Sequence, residues 1–293
     1  MYKNLLNWVF LLGLVAVLAS PVFAQQPTEA GRIVLARVTG TVTLTNKADG
    51  STRTATNNEQ IAAGYVVVTA PEASVVLVFS NGSTVNLRGD SQLDIETFLQ
   101  DPFAEDFRIT EATTEPSTST TRLNLTRGEL IGQVKTLNSA GGSTFVIQTP
   151  VGAAGIRGTT FRIVFRPDGA GGAFFALTTV EGNVTLVQGT VETPVAATNN
   201  QAQEISINVD VTVDPVTGTA TVTGAGQTFT VQVAAATTTA DVVQAVQQTV
   251  QAIATVVFTP VATTTSTQTG GDTTPPPGAQ PTPQRTTTAD GVR

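Results

Sequence analysis

The sequence predicts an all-β protein of short antiparallel strands, folded as a sandwich or roll, with one late α-helix and a disordered tail. Three observations carry that reading. Apolar residues recur at every second position through the first two thirds of the chain, which is the period of a half-buried strand. Glycine, asparagine and aspartate punctuate those runs where turns are needed. The apolar period changes to three or four only once, near the C-terminal end. The regular glycines also suit a β-solenoid, the alternative architecture, but no fixed repeat period accompanies them.

The strands follow in order. Val38, Val42 and Leu44 flank Gly40, and Lys47-Ala48-Asp49-Gly50-Ser51 supplies a turn. Ile61, Val66, Val68, Val76, Val78, Val85, Leu87, Leu93 and Ile95 continue the alternation. Asn81-Gly82 is the strongest hairpin signal and predicts a type I′ turn, with Asp168-Gly169 and Asp49-Gly50 weaker versions. From Phe98 to Arg122 the rhythm breaks over Asp101, Glu105, Asp106, Glu111 and Glu115, so an acidic insertion at about 98–122 reads as a solvated loop. Strand-like pieces resume over Ile205–Val213 and Thr219–Val233, around a turn at Asp214-Pro215-Val216-Thr217-Gly218. Val242, Val246, Val250, Ile253 and Val257 then predict a helix over 240–257 that docks on a sheet edge or face. Residues 259–293 are Thr-, Ser-, Gly- and Pro-rich and predict a disordered tail.

Residues 1–24 have the form of a signal peptide: Lys3, an apolar run from Trp8 to Ala19, then Val22-Phe23-Ala24, so cleavage before Gln25 is expected. That apolar run is shorter than the roughly 20 residues of a membrane span, and no membrane insertion is expected after cleavage. The expected location is therefore periplasmic or secreted. The domain plan is a β domain over 25–189, a β extension with the helix over 190–258, and the tail.

Composition removes several function classes. The 293 residues contain no cysteine and no histidine, and the one methionine is the initiator. Disulfides, Ser-His-Asp and Cys-His catalysis, His-ligated zinc or copper and the usual haem ligands are thereby excluded. The formal charge is −7, and losing Lys3 with the leader makes it one unit more negative. Nucleic acid, which needs clustered Lys and Arg, is not an expected partner.

The densest motif is Thr149-Pro150-Val151-Gly152-Ala153-Ala154-Gly155-Ile156-Arg157-Gly158-Thr159-Thr160-Phe161. It resembles the signature of the FecR domain family, a Thr-Pro pair, small residues, an aliphatic-Arg-Gly-Thr step and an aromatic. Thr149, Pro150, Gly155, Ile156, Arg157, Gly158, Thr159 and Phe161 fill those places. Gly40-Thr41-Val42, Gly64 with Thr69, Asn81-Gly82-Ser83, Leu93-Asp94-Ile95, then Leu125, Gly128 and Leu130, and finally Val180-Glu181-Gly182-Asn183-Val184 are similar to further family elements. Tyr65 and Asn81 depart from it, standing where the family commonly has acidic residues. The resemblance spans roughly 32–188 and implies an all-β module of the bacterial cell envelope. Iron-sensing members relay a receptor signal to a sigma factor through a cytoplasmic segment and a retained transmembrane helix. Neither part is read here, so that relay is not carried over.

The residual chemistry is thin. Asp90, Gln92, Asp94 and Glu96 share parity and would project from one strand face, the arrangement a carboxylate hydrolase or a calcium site would need. Polar-out alternation on an ordinary strand explains them better. Lys47 and Lys135 lack a Ser-x-x-Lys partner and read as solvated. Arg157, set among Ala154, Gly155 and Gly158, is expected to be buried and paired with Glu181 beside Gly182. Thr149-Pro150 reads as a strand end. The expected function is a non-enzymatic exported binding or protein-interaction module with no cofactor and no metal, whose partner is an envelope protein. A glycan- or cell-wall-binding module is the alternative, and a carboxylate hydrolase a weaker one.

Overall fold

In the structure, a computed structural model, the described residues are 27, 29–199, 201–214, 220–223, 228–236 and 239–260. The expected signal peptide over 1–24, all but Asp214 of the expected turn at 214–218, and the expected tail after Pro260 lie outside them. The described residues form eighteen strands, β1 (Ile33–Thr39), β2 (Val42–Asn46), β3 (Thr52–Thr54), β4 (Glu59–Ile61), β5 (Tyr65–Thr69), β6 (Ser74–Phe79), β7 (Thr84–Leu87), β8 (Gln92–Gln100) and β9 (Phe107–Arg108) in the first half of the chain. The second half adds β10 (Ser119–Gln133), β11 (Thr144–Gln148), β12 (Ala153–Pro167), β13 (Gly172–Gln188), β14 (Val191–Ala196), β15 (Gln203–Val213), β16 (Ala220–Val222), β17 (Ala234–Ala235) and β18 (Val257–Phe258). One helix, α1 (Ala240–Ile253), precedes β18.

Sixteen of the strands belong to one continuous ladder, which three long strands fold into two facing layers. The first half of β10 pairs with β8 and β11, and its second half with β7 and β12. β12 pairs with β11 through Gly155 and with β10 from Thr160 onward. β13 follows β12 throughout, next to β15 over Gly172–Thr179 and next to β14 over Asn183–Gln188. Layer one therefore runs β3-β2-β5-β8-β10-β11-β12-β13-β14, and layer two runs β4-β1-β6-β7-β10-β12-β13-β15-β16. All the described strand pairs are antiparallel except β10 with β11, which rules against a solenoid of stacked parallel coils.

Residues of alternate parity from both layers meet in one core. Leu44, Val67, Leu93, Ile95, Leu123, Phe145, Ile147, Ile156 and Leu186 face inward from layer one, and Leu35, Leu77, Phe79, Leu87, Phe161, Ile163, Phe165 and Phe175 from layer two. Phe79 packs edge-to-face on Phe98 with ring centroids 5.1 Å apart and on Phe145 at 6.1 Å. The bends are made by glycine. Gly128 in β10 has φ +97°, and a Cβ there would lie 2.4 Å from the Ser91 Cα. A buried hydrogen-bond seam runs along this fold line: Thr69 Oγ1 donates to the Arg88 carbonyl (2.6 Å), while the Ser91 and Glu129 amides donate to Thr69 Oγ1 and Ser91 Oγ, 3.0 Å each.

Several local expectations change. The Asn81-Gly82 hairpin is not type I′: Gly82 alone of the pair has positive φ, and its N–H closes a turn onto the Phe79 carbonyl at 2.8 Å. Asn81 is instead held inside, donating from Nδ2 to Ser119 Oγ (3.0 Å) and accepting from the Ser83 amide (3.0 Å). Thr219–Val233 is a strand only at Ala220–Val222 among its described residues; Phe229 and Val231 lean on the core without joining a ladder. The helix ends at Ile253 rather than 257: the Val256 amide closes a turn onto the Ile253 carbonyl (3.0 Å), and the β-branched run then becomes extended, Val257 and Phe258 pairing with β9. Its buried stripe is Val242, Ala245, Thr249 and Ile253, with Val250 exposed.

The acidic insertion is not a solvated loop. Strand β8 runs to Gln100 and β10 starts at Ser119, so the part outside the main sheet is 101–118, irregular apart from β9. Phe107 and Ile109 join Val76, Val78, Ile253 and Phe258 in a second small core on the outer face of layer two. Arg32 lies between the Phe103 ring (5.6 Å) and the Phe258 ring (5.3 Å) and donates to the Thr259 carbonyl. Burial pulls its pKa below the usual arginine value. Glu115 is buried, accepting from Ser119 Oγ (2.6 Å), the Asn138 amide (2.7 Å) and Ser143 Oγ. Composition signalled an exposed loop, but spaced aromatics and hydroxyl donors far along the chain cover and satisfy it. Helix α1 extends the cover by setting Val242 and Ala245 on Ile131.

Gly128→Ala should destabilise the fold by roughly 1–3 kcal/mol more than Gly50→Ala. Gly50 also has positive φ, +70°, but a Cβ there meets nothing within 4 Å. The measurement is the urea midpoint of each variant, and equal losses would show that close packing at the bend contributes nothing.

Candidate functional site

The Thr149–Phe161 motif builds a turn and a bend. Thr149 to Gly152 close the β11–β12 hairpin: the Thr149 amide donates to the Gly152 carbonyl (3.0 Å), and Thr149 Oγ1 donates to the same oxygen (2.7 Å). Pro150 pre-sets the turn, and Gly152 has no room for a side chain because a Cβ would lie 2.7 Å from the Val187 carbonyl oxygen. Farther along, Arg157 stands opposite Asn183 and Thr160 opposite Glu181, with two residues between on β12 and one on β13. This bulge carries β12 from layer one to layer two. Gly158 (φ +57°) and Gly182 (φ +80°) make it, and a Cβ on Gly182 would lie 2.4 Å from the Gly158 oxygen. Thr159 locks it: its amide and carbonyl bond Val134 (3.0 and 2.9 Å), and its hydroxyl donates to the Arg157 (2.8 Å) and Asn183 (2.9 Å) carbonyls. Phe161 is fully buried over Gly132.

Arg157 and Glu181 do not form the expected buried pair. Both are exposed, and the bulge between them turns Arg157 onto the outer face of layer one and Glu181 towards Lys135. The buried carboxylate–guanidinium cluster is elsewhere. Glu129, 7 % exposed, accepts from Arg162 Nε (2.8 Å) and Arg166 Nη2 (2.6 Å) on the outer face of layer two. The shared parity of Arg162 and Arg166 in Phe161-Arg162-Ile163-Val164-Phe165-Arg166 was the available signal; the partner on β10 was not legible.

The carboxylate series is dispersed as well. Asp94 is paired with Lys47 at 2.6 Å. Asp90 lies outside β8, in a left-handed corner (φ +53°), with its Oδ1 3.9 Å from Arg127 Nε. Glu96 and Asp90 open onto separate cavities, so the three carboxylates share no site. Lys135 is half-buried rather than solvated, and burial pushes its pKa down. It lines a cavity of about 270 Å³ with Glu181 and Thr159.

Besides the cavity at Lys135 and Glu181, two open concavities with charged rims border layer one. One, of about 500 Å³, is bounded by Glu96, Arg122, Asn124, Gln148 and the Thr149-Pro150 turn of layer one and by Ala220–Val222 of β16. The other, of about 330 Å³, is bounded by Val146, Gly155, Arg157, Asn183, Thr185 and Glu192. Both border β11. Arg122, Val146, Gly155, Thr185 and Pro194 are consecutive cross-strand neighbours, so the row crosses five strands with its middle lowered by a glycine. The trough is shallow, polar and bounded by Arg122, Arg157, Glu96 and Glu192. It can take hydrogen bonds and charge from an extended surface, and no nucleophile–base pair stands in it.

Arg157→Met and Glu181→Gln should each change stability by less than about 0.5 kcal/mol, with no coupling in a double-mutant cycle. Glu129→Gln should cost about 1.5–3 kcal/mol, the range for hydrogen bonds to charged groups. Chemical denaturation of the four proteins checks both statements.

A family model described as FecR protein matches residues 65–185. No curated protein matches the sequence. Two crystal structures, at 1.65 and 2.50 Å resolution, of a candidate anti-sigma factor from Parabacteroides distasonis align with 11% identity and a TM-score of 0.34. Each alignment covers 54% of this chain and 58% of that one, so the chain spans little more than half of these relatives. That score is too low to assign fold or function. The family match takes in β5 to the Gly182 bulge, all of the Thr149–Phe161 motif included, and residues 65–185 of this protein are a FecR domain.

Proposed function

We propose that this protein is a non-enzymatic, exported FecR-type interaction module of the bacterial cell envelope, and that an envelope protein binds the outer face of layer one. The observation that carries the reading is the trough across β10 to β14. The bend that defines the FecR signature turns Arg157 outward beside Gly155, while Arg122, Glu96 and Glu192 supply charge on either side. On layer two, α1, β9 and β18 cover part of the outer face, over β1, β6, β7 and β10. Dispersal of Asp90, Asp94 and Glu96 supports a binding role over hydrolysis. Tyr65, the sole tyrosine after the leader, is stacked under Arg53 at 5.6 Å, which weighs against an aromatic glycan platform. The leader-like residues 1–24 are the ground for export.

Protein recovered from the periplasm or medium is expected to begin at Gln25 by N-terminal sequencing. Wild-type protein should co-purify a partner from envelope extract after in-cell crosslinking, and Arg122→Glu with Arg157→Glu should lose it at an unchanged unfolding midpoint. Arg37→Glu, exposed on β1 in the other layer, should retain it. Retention by the double variant would overturn the assignment of the face, and capture of glycan in place of protein would overturn the partner class.

A further inference from the structure

We propose that the cavity between Arg127 and Arg166 binds a monocarboxylate with a short aliphatic body, presented by a free acid or by the C-terminus of a peptide. The cavity, of about 320 Å³, lies at the Gly128 bend, away from the trough on layer one. Its size suits a small ligand. Arg127 leaves β10 just before the bend, and its Nε is buried without a hydrogen-bond acceptor. The Nε atom itself is out of reach of the cavity, but the side chain is 35% exposed and lines it, so its outer nitrogens face the space and call for an acceptor.

The neighbouring carboxylates do not supply one. Asp90 Oδ1 is 3.9 Å from Arg127 Nε, too far for a hydrogen bond. Both oxygens of Glu129 are taken by Arg162 and Arg166. Asp168 accepts from the Ala170 (2.7 Å) and Gly172 (2.9 Å) amides, bonds that hold its pKa below the usual aspartate range. Arg166 uses one nitrogen on Glu129, and its side chain is 55% exposed, so its other donors remain available at the cavity.

Charge and shape select the ligand class. On the cavity wall itself two guanidinia, Arg127 and Arg166, stand against one carboxylate, Asp90, an excess of one positive charge that suits a monoanion better than a phosphate dianion. A guanidinium fork matches a carboxylate in geometry. Pro167 and Val213 give apolar wall, and Gly128 and Gly169 keep side chains out of the space.

Isotope-labelled full-chain protein is titrated with butyrate and with N-acetyl-alanine, each against its neutral amide, following the Gly128 and Gly169 amide resonances. Both resonances should move saturably with at least one carboxylate and stay put with the amides. A stronger response to butyrate assigns a free acid, and a stronger response to N-acetyl-alanine assigns a peptide terminus. Arg127→Gln should weaken binding about tenfold or more, the loss of a charge-assisted hydrogen bond. Asp90→Asn, at an exposed corner where Asn tolerates the backbone, should tighten binding by removing the opposing charge. Equal response to acid and amide, no response to either acid, or no effect of both variants would overturn the proposal.

Discussion

The fold depends on three long strands crossing from one layer to the other without losing their ladders. A strand of fifteen or more residues, as β10, β12 and β13 are, cannot serve two layers unless its backbone bends sharply where two chains nearly touch. Gly128, Gly158 and Gly182 provide those bends, each at positive φ. At Gly128 and Gly182 a methyl group would strike the facing chain. The paired amides and carbonyls of Thr159 and Val134 then hold the crossing in register, and Phe161 anchors it in the core. The residues most characteristic of the FecR signature therefore make a structural joint.

The two layers have different surroundings. Residues 101–118, α1 and β18 cover part of the outer face of layer two with a second apolar cluster and the Arg32 clamp between Phe103 and Phe258. A buried carboxylate, Glu115, is tolerated there because two hydroxyls and an amide solvate it. Layer one keeps its outer face polar and concave. That asymmetry connects packing to function: the same bend that buries Phe161 under layer two turns Arg157 to the open side of layer one.

Much of the fold was legible in the sequence, since period-two apolar residues and turn glycines respond to local rules. The strands from β1 to β8 apart from the all-polar β3, the hairpin turns at Asp49-Gly50 and Asp168-Gly169, and a helix starting at Ala240 all follow from spacing. The resemblance carried by Thr149–Phe161 located the FecR domain, because Pro150, Gly158 and Thr159 are constrained by backbone geometry that few other residues meet. What the sequence determined by itself was thus the all-β class and the position of the joint.

Tertiary structure decided the rest, because it depended on contacts between distant residues. The need of a buried guanidinium for a counter-charge assigned Arg157 and Glu181 to a common pair, yet the one-residue offset of the bulge rotates them onto different surfaces. Glu129 found Arg162 and Arg166 only once β10 and β12 lay side by side. The acidic insertion became part of a core because Phe103, Phe107 and Ile109 met residues about 150 positions later, a distance over which periodicity carries no information. Local steric rules fix strands and turns; side-chain partnership is fixed by which strands become neighbours, and that is a property of the whole folded chain.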